Sequence, residues 1–176
     1  PNSDIEAQLL FIAGQYLLVY PDKEGTAYKF LSPAQLHQAF SREPIDSGYL
    51  SSQTVRWGKC NGEEWLVQFY PSGAYCLSLD STILTITLPS FIFVGCGRRY
   101  WIWATKQRNF LPKCQLFHAP LPNVMEGSIC FGTNSPPICS SGAIAAAWEL
   151  FWHSPFGSDA VQNKSKSHPN DVRQQL

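Results

Sequence analysis

The dipeptide Asn61-Gly62 is flanked by two strand-like runs, residues 54–57 and 64–70. Asparagine and glycine both tolerate the positive φ angles of a two-residue hairpin turn, so this pattern predicts two antiparallel strands. Two more strand-like runs follow at residues 88–94 and 99–105. Together the four runs predict an antiparallel β-meander.

The N-terminal part of the chain carries similar signals. Residues 9–12 and 16–20 predict a hairpin with a glycine in its turn, and residues 27–31 predict a third short strand. Ser32 followed by Pro33 predicts the start of a helix, because serine accepts a hydrogen bond from the first turn and proline is tolerated there. We expect this helix to continue to Phe40, because Pro44 cannot continue it.

An alanine-rich run at residues 143–152 predicts a second helix. Ile144, Trp148 and Phe151 recur at helical spacing, so this helix should bury one face against the sheet. The expected fold is α+β, an antiparallel β-meander packed against flanking helices. We expect one such domain at residues 1–155, followed by a polar and mobile segment at residues 156–176.

Composition and charge narrow the classes of function. Apolar residues make up 44% of the 176 residues and charged residues 15%, which is typical of a globular protein. Lysine plus arginine and aspartate plus glutamate number 13 each, so no excess of positive charge favours nucleic acid as a partner. Arg98, Arg99 and Lys106 lie among aromatic residues that could stack on single-stranded nucleic acid, but the basic residues cluster only there.

Signals for membranes and secretion do not occur in this sequence. No apolar run reaches the roughly 20 residues that a membrane helix needs, and residues 1–4 do not begin a basic-then-apolar secretory pattern. We therefore expect a soluble, cytoplasmic protein with no membrane partner. The chain begins without methionine, and we expect its ends to be trimmed.

Six cysteines, an even number, leave open a disulfide interpretation, although the missing secretory signal argues against it. No two cysteines are spaced Cys-x-x-Cys, so the sequence predicts neither a metal site nor a redox motif. Cys60, Cys76 and Cys96 lie in or beside strand-like runs and should be buried as small hydrophobic residues. Cys130 has different neighbours, and we expect it to be accessible to solvent.

The stretch at residues 120–137 surrounds that cysteine. It combines an amide (Asn123), a glycine turn (Gly127) and a thiol between apolar neighbours (Cys130). A thiol nucleophile needs an exposed sulfur and a donor directed at the oxygen that becomes negative when a carbonyl is attacked. Glycine and proline make the stretch irregular, and irregular surface segments on a rigid scaffold often carry chemistry. Cys130 and Asn123 are therefore the candidate catalytic residues.

The same residues resemble a known active-site segment. Pro122-Asn123-Val124, then Gly127-Ser128-Ile129-Cys130 and a proline pair are similar to the segment of ubiquitin-conjugating enzymes that reads His-Pro-Asn, a short loop and Gly-x-Ile-Cys. Over residues 8–176 the chain resembles a bacterial branch, the PRTRC system protein B family (prokaryotic ubiquitin-conjugating-enzyme-like family D). The similar features are residues 55–57, 88–89, 119–120, 122–124, 130–132, 148 and 154–156.

This resemblance implies a ubiquitin-conjugating-enzyme-like fold and a transferase activity. Cys130 would carry a ubiquitin-like modifier as a thioester and pass it to an amine, while Asn123 would stabilise the oxyanion or hold the active-site loop. Pro122, Gly127 and His118 would support these two residues. The implied partners are a ThiF-type activating enzyme, the modifier itself and a JAB-type metallopeptidase, and neither a cofactor nor a metal is implied.

The chain also departs from the family pattern, which leaves two alternatives open. Leu121 stands where the family has histidine, and Asn123 precedes Cys130 by seven residues where the eukaryotic enzymes have eight. One alternative is a catalytically silent scaffold of the same fold in a plasmid-associated PRTRC system, which only binds partners. The other is a thiol hydrolase, in which His118 folds back towards Cys130.

Overall fold

The computed structural model describes residues 6–40, 46–60, 62–79 and 82–176. The chain forms two compact units, residues 1–46 and residues 47–176. Both contain mostly antiparallel β-sheet, with few helices among the described residues. The assignment of residues 1–155 to one domain, and of residues 156–176 to a mobile segment, stays a prediction.

The first unit is a three-stranded antiparallel sheet followed by a helix. Ser32 caps this helix: the backbone N–H of Gln35 donates to Oγ of Ser32 over 3.2 Å, and the backbone N–H of Ser32 donates to Oε1 of Gln35 over 2.9 Å. The predicted hairpin, third strand and helix start are thus confirmed. The elements, with β2 in the middle of the sheet, are β1 (Gln8–Ile12), β2 (Gln15–Asp22), β3 (Gly25–Leu31) and α1 (Pro33–Phe40).

The second unit is built on a seven-stranded antiparallel sheet with a separate two-stranded hairpin, β6–β7. In chain order, its strands are β4 (Thr54–Cys60), β5 (Glu63–Tyr70), β6 (Gly73–Leu79), β7 (Thr82–Leu88), β8 (Ser90–Cys96), β9 (Arg99–Thr105), β10 (Phe117–His118), β11 (Val124–Met125) and β12 (Ser128–Ile129). The order in the large sheet is β11-β12-β9-β8-β5-β4, and β10 also pairs with β9.

The predicted meander corresponds to β4, β5, β8 and β9, which lie side by side in the large sheet. Of the predicted turn between β4 and β5, Asn61 lies outside the described residues, while Gly62 has a φ angle of 81°. The prediction missed the β6–β7 hairpin. It also joined Leu88 to β8, although Leu88 ends β7 and pairs with Gly73. Pro89 separates the two strands because it has no backbone N–H to donate.

The helix α2 (Ile144–His153) packs on one face of the large sheet and forms the core of this unit. Ile144, Trp148 and Phe151 are buried, as their spacing predicts. The Trp148 ring stacks on Tyr70 with centroids 3.6 Å apart and meets Phe93 edge-on at 5.2 Å. Aromatic contacts of this kind add to the stabilisation that burial alone provides.

The two faces of β9 have different surroundings. Tyr100 and Ile102 are buried on the face that α2 covers, whereas Trp101 and Trp103 are half-buried on the opposite face. Successive side chains of this strand thus point to opposite faces of the sheet. The helix covers the face without the tryptophans.

The chain after α2 returns to the body of the second unit. Phe156 and Val172 are buried, and the backbone N–H of Phe156 donates to the carbonyl of Ser78 over 2.9 Å. A short 3₁₀ helix, Val172–Gln174, follows near the end. Of the helices that the structure describes, none is long and apolar enough to cross a membrane.

Candidate active site

Cys130 directly follows a small hairpin at the edge of the large sheet, and it is exposed to solvent. The hairpin pairs Val124 with Ile129 and connects β11 to β12 through Glu126 and Gly127. Both connecting residues have positive φ angles, 51° and 85°, which suits a tight two-residue turn between antiparallel strands. The turn residues thus set the position of Cys130, which comes directly after the end of β12.

Gly127 has a second reason to be glycine. A Cβ atom at this position would lie 2.5 Å from Nε1 of Trp103, so no side chain fits without displacing the indole ring. Its carbonyl accepts a hydrogen bond of 2.7 Å from the backbone N–H of Ile102. Close packing on Trp103 and this hydrogen bond to β9 together hold the hairpin that precedes Cys130.

Asn123 is nearly buried and connects three segments through hydrogen bonds. Its Nδ2 donates to the carbonyl of Pro155 over 3.0 Å, and its backbone N–H donates to the carbonyl of Asp159 over 2.9 Å. Its own carbonyl accepts from the backbone N–H of Cys130 over 2.8 Å. Asn123 also has a φ angle of 59°, a left-handed conformation that asparagine adopts more readily than most residues. One of its two amide hydrogens therefore braces the loop after α2.

A cavity of about 130 Å³ opens beside Cys130. The segment from Cys130 to Asn134 forms one side, and the loop after α2 forms the other. Asn123, which is buried, and Asp159, which is exposed, also line the cavity. The lining residues are Asn123, Cys130, Phe131, Gly132, Thr133, Asn134, Ser154, Pro155, Gly157 and Asp159.

The two walls of this cavity are tied to each other. Nδ2 of Asn134 donates to Oγ of Ser154 over 3.1 Å, and that hydroxyl donates to the carbonyl of Leu150 over 2.6 Å. Asn134 lies in the stretch at residues 120–137, and Ser154 lies in the segment 154–156 that resembles the family, but neither pattern indicated that their side chains meet. Asp159 was missed because it lies far from both Asn123 and Cys130 along the chain. The turn after the cysteine, where Gly132 has a φ angle of 62°, was a local signal for one wall of the cavity.

Three other residues named from the sequence do not line this cavity. Pro122 and Leu121 are buried, and Leu121 belongs to the hydrophobic core, so the residue in place of the family histidine has a packing role. His118 is exposed and lines a separate cavity, together with Val124 and Lys164. The structure therefore does not bring His118 into the cavity that Cys130 lines.

The other cysteines correct one prediction. Cys60 and Cys76 are exposed and Cys96 is half-buried, whereas Cys139 is the buried cysteine. The prediction that the three strand cysteines are buried is wrong because strand membership does not say which face is covered. Cys76 lies on the face of β6 opposite Leu77, which is buried. Burial raises the pKa of the Cys139 thiol to about 11, so this thiol is poorly suited to act as a nucleophile. All six cysteines are free.

A protein-family model described as Prokaryotic E2 family D matches residues 27–176. The chain belongs to this family. E2 denotes a ubiquitin-conjugating enzyme, so the match confirms the resemblance inferred from the sequence. The antiparallel sheet with few helices is compatible with an E2-like fold. No curated protein and no solved structure matches the chain.

All of the residues that line the Cys130 cavity lie within the part of the chain that matches Prokaryotic E2 family D. The family match covers Asn123, Cys130 and the loop that contains Asp159. The E2-like chain brings its exposed cysteine, its bracing asparagine and Asp159 to one small cavity.

Proposed function

We propose that this E2-like protein carries a ubiquitin-like modifier as a thioester on Cys130 and transfers it to an amine. A ThiF-type enzyme would activate the modifier, and a JAB-type metallopeptidase would remove or process it. The observation that carries the proposal is the exposed thiol of Cys130 in a cavity shared with Asn123 and Asp159.

The chemistry assigns a role to each of the three groups. The Cys130 thiol exchanges with an activated acyl group, and an incoming amine then attacks the thioester carbonyl. The carboxylate of Asp159 would hold the incoming amine by charge and accept a proton as the C–N bond forms. Asn123 keeps the segment before Cys130 and the loop after α2 in register, and its remaining amide hydrogen is available to the developing oxyanion.

A chemical thioester tests this proposal without the natural modifier. We expect a fluorescent peptide, whose C-terminal glycine is a mercaptoethanesulfonate thioester, to load Cys130 and the exposed thiols of Cys60 and Cys76 by exchange. After removal of the reagent and addition of L-lysine, the Cys130 adduct should discharge to lysine about 10²-fold faster than the Cys76 adduct. Intact mass and peptide mapping would measure how fast each adduct disappears. The Cys76 adduct gives the uncatalysed rate of discharge within the same molecule.

The remaining outcomes separate the alternatives. Equal discharge from Cys130 and Cys76 would mean that the cavity does not assist transfer, as expected of a catalytically silent scaffold. Rapid release of the free peptide acid from Cys130, in place of the lysine amide, would indicate a thiol hydrolase.

The structure also predicts the effect of removing the Asn123 amide. Glycine at this position keeps the left-handed backbone available but deletes the hydrogen bond to Pro155. We expect Asn123→Gly to load Cys130 normally and to discharge to lysine about 10²-fold more slowly, because a small misplacement of reacting groups has an effect of this size.

Asn163→Gly is the matched control, because Asn163 has nearly the same backbone conformation, with a φ angle of 60°, and does not line the Cys130 cavity. It should discharge at the wild-type rate. If both variants discharge at that rate, Asn123 has no part in transfer.

A further inference from the structure

A groove of about 410 Å³ is lined by the β6–β7 hairpin on one side and by α2 on the other. It shares no lining residue with the Cys130 cavity. Binding sites usually have volumes of roughly 300–1,000 Å³, so the groove has room for a ligand. The proposed thioester chemistry gives none of its residues a catalytic role.

Trp152 is one of the α2 residues that line this groove, and only 8% of it is exposed. Its indole N–H has no hydrogen-bond partner among the residues that the structure describes. A buried donor without a partner is costly, and proteins supply an acceptor to most such groups. Peptide carbonyls are acceptors, and a peptide in the groove would bring them beside this side chain.

The strand β6 uses only one of its two edges to pair with β7. Among the described residues, its other edge pairs once, in a parallel bridge between Leu79 and Phe156. There the backbone N–H of Phe156 donates to the carbonyl of Ser78 over 2.9 Å, so the backbone of Ser78 points away from β7. Residues of an antiparallel strand alternate between facing the partner strand and facing away, so Cys76 and Ala74 also present their N–H and C=O groups to the free edge. Both of these residues line the groove.

The free edge of β6 lacks the features that usually prevent a sheet edge from pairing. Exposed edges are commonly protected by charged residues, proline or a bulge. The β6 sequence, Gly-Ala-Tyr-Cys-Leu-Ser-Leu, contains no charged residue and no proline, and its pairing with β7 runs without a register shift. The bridge to Phe156 shows that this edge pairs with a second segment of chain. Ala74 and Cys76 are exposed and available for the same kind of pairing.

The side chains around the groove indicate what kind of peptide fits. Glu149 is the only carboxylate among the described lining residues, which include no lysine or arginine. Its side chain is 65% exposed although His153 lies 3.7 Å away, and its charge favours a basic side chain in the partner. Ile83 of β7 is 74% exposed and offers an apolar contact. Successive side chains of an extended peptide point to opposite sides, so one peptide can make both contacts.

We propose that the groove binds an extended segment of a partner protein, which adds to the hairpin as a third strand beside β6 and places a lysine or arginine near Glu149. In this mode of recognition the main chain supplies hydrogen bonds, and alternate side chains supply specificity. The bonds expected are those to the free N–H and C=O groups of Ala74 and Cys76. The inference does not depend on thioester transfer at Cys130.

Selection from a peptide library tests whether such a segment binds. The probe is a display library of random, cysteine-free peptides of about seven residues, close to the usual length of a strand, selected on the immobilised full chain. We expect the enriched peptides to alternate β-branched or aromatic residues with lysine or arginine. The most enriched peptide is then synthesised with a fluorescein label, and its Kd is measured by fluorescence anisotropy. A selection that enriches no such pattern would overturn the proposal.

Cys76→Pro removes an N–H from the free edge but no hydrogen bond to β7, because the backbone of Cys76 faces away from β7. We expect this variant to raise the Kd of the peptide at least about tenfold, since one backbone hydrogen bond is lost and the proline ring obstructs the peptide. Cys76→Ser should bind as wild type, which separates the loss of the N–H from the loss of the thiol.

Thr85→Pro is the matched control for the proline. Thr85 pairs with Cys76 from β7, so its N–H points to the opposite edge of the hairpin, and it does not line the groove. This variant should bind the peptide as wild type. If Cys76→Pro binds as tightly as Thr85→Pro, β6 is not the docking edge.

Methylation of the peptide gives a test that leaves the protein unchanged and holds even if Cys76→Pro does not fold. Two versions of the peptide carry N-methyl groups on alternate residues, one version for each set of residues. Because only every second N–H of a strand faces its neighbour, one version should bind at least about tenfold more weakly and the other like the parent peptide. Equal binding of the two versions would contradict strand pairing.

Two further measurements test the charge and the alternative occupant. Glu149→Gln should raise the Kd about two- to fivefold, the size of an exposed ion pair, and an unchanged Kd would refute the contact with a basic side chain. Analytical ultracentrifugation of the chain alone would detect pairing with a second copy. A dimer that Cys76→Pro dissociates, but Thr85→Pro does not, would mean that a second copy covers the edge and would overturn the peptide partner.

Discussion

Serine in place of Cys130 should abolish the rapid transfer of the peptide from the chain to L-lysine, leaving only the slow discharge of the adducts at Cys60 and Cys76. A serine hydroxyl is a far weaker nucleophile than a thiol, and nothing in the Cys130 cavity supplies a histidine to activate it: His118 lines a different cavity. We therefore expect no reductant-sensitive adduct at position 130 and no rapid discharge, as measured by intact mass before and after reduction.

Cys76→Ser is the matched control for this substitution. Cys76 is exposed like Cys130 but lies on the β6–β7 hairpin. This variant should lose one slow adduct and keep the rapid discharge from Cys130. If Cys130→Ser still transfers the peptide rapidly, another thiol carries the activity and the assignment of Cys130 is wrong.

Alanine in place of Trp148 should lower the free energy of unfolding by about 3–5 kcal/mol, the usual effect of truncating a buried tryptophan. Only 6% of Trp148 is exposed, and its ring contacts Tyr70, Phe91 and Phe93 from the sheet. Alanine would leave a cavity between α2 and β8 that the neighbouring rings cannot fill. Urea unfolding followed by far-ultraviolet circular dichroism would measure the change.

Trp101→Ala provides the comparison, because Trp101 is half-buried on the opposite face of the sheet. We expect its loss to be clearly smaller, at about 1–2 kcal/mol. Equal losses for the two tryptophans would contradict the packing of α2 on the face formed by Phe93 and Ile102.

The parts of the fold that were predictable depend on local patterns. Runs rich in aromatic and β-branched residues located β4, β5 and β9, and helical spacing located α2 within one or two residues of its observed ends. The β6–β7 hairpin was missed because its first strand, Gly-Ala-Tyr-Cys-Leu-Ser-Leu, begins with small residues and only then alternates. Such a segment resembles a loop until its pairing with β7 is known.

The candidate site was predictable only where its residues are close in sequence. Asn123, Gly127 and Cys130 lie on one stretch, so motif and spacing identified them. Asp159 and Ser154 come from the loop after α2, and only the folded chain brings them to the same cavity. Burial of the strand cysteines could not be predicted either, because alternation assigns two faces to a strand without saying which face is covered.

The position of the β6–β7 hairpin affects how quickly the large sheet can assemble. Tyr70 of β5 pairs with Phe91 of β8, and the entire hairpin lies between them in sequence. A two-stranded hairpin forms in about 1–10 μs, and its terminal pair of Gly73 and Leu88 brings the two ends of the intervening chain together. Once the hairpin has formed, the loop that must close between Tyr70 and Phe91 is effectively about fourfold shorter. This lowers the entropic penalty of closing it by about 1.2 kcal/mol. The hairpin thus converts the long-range pairing of β5 with β8 into a nearly local step.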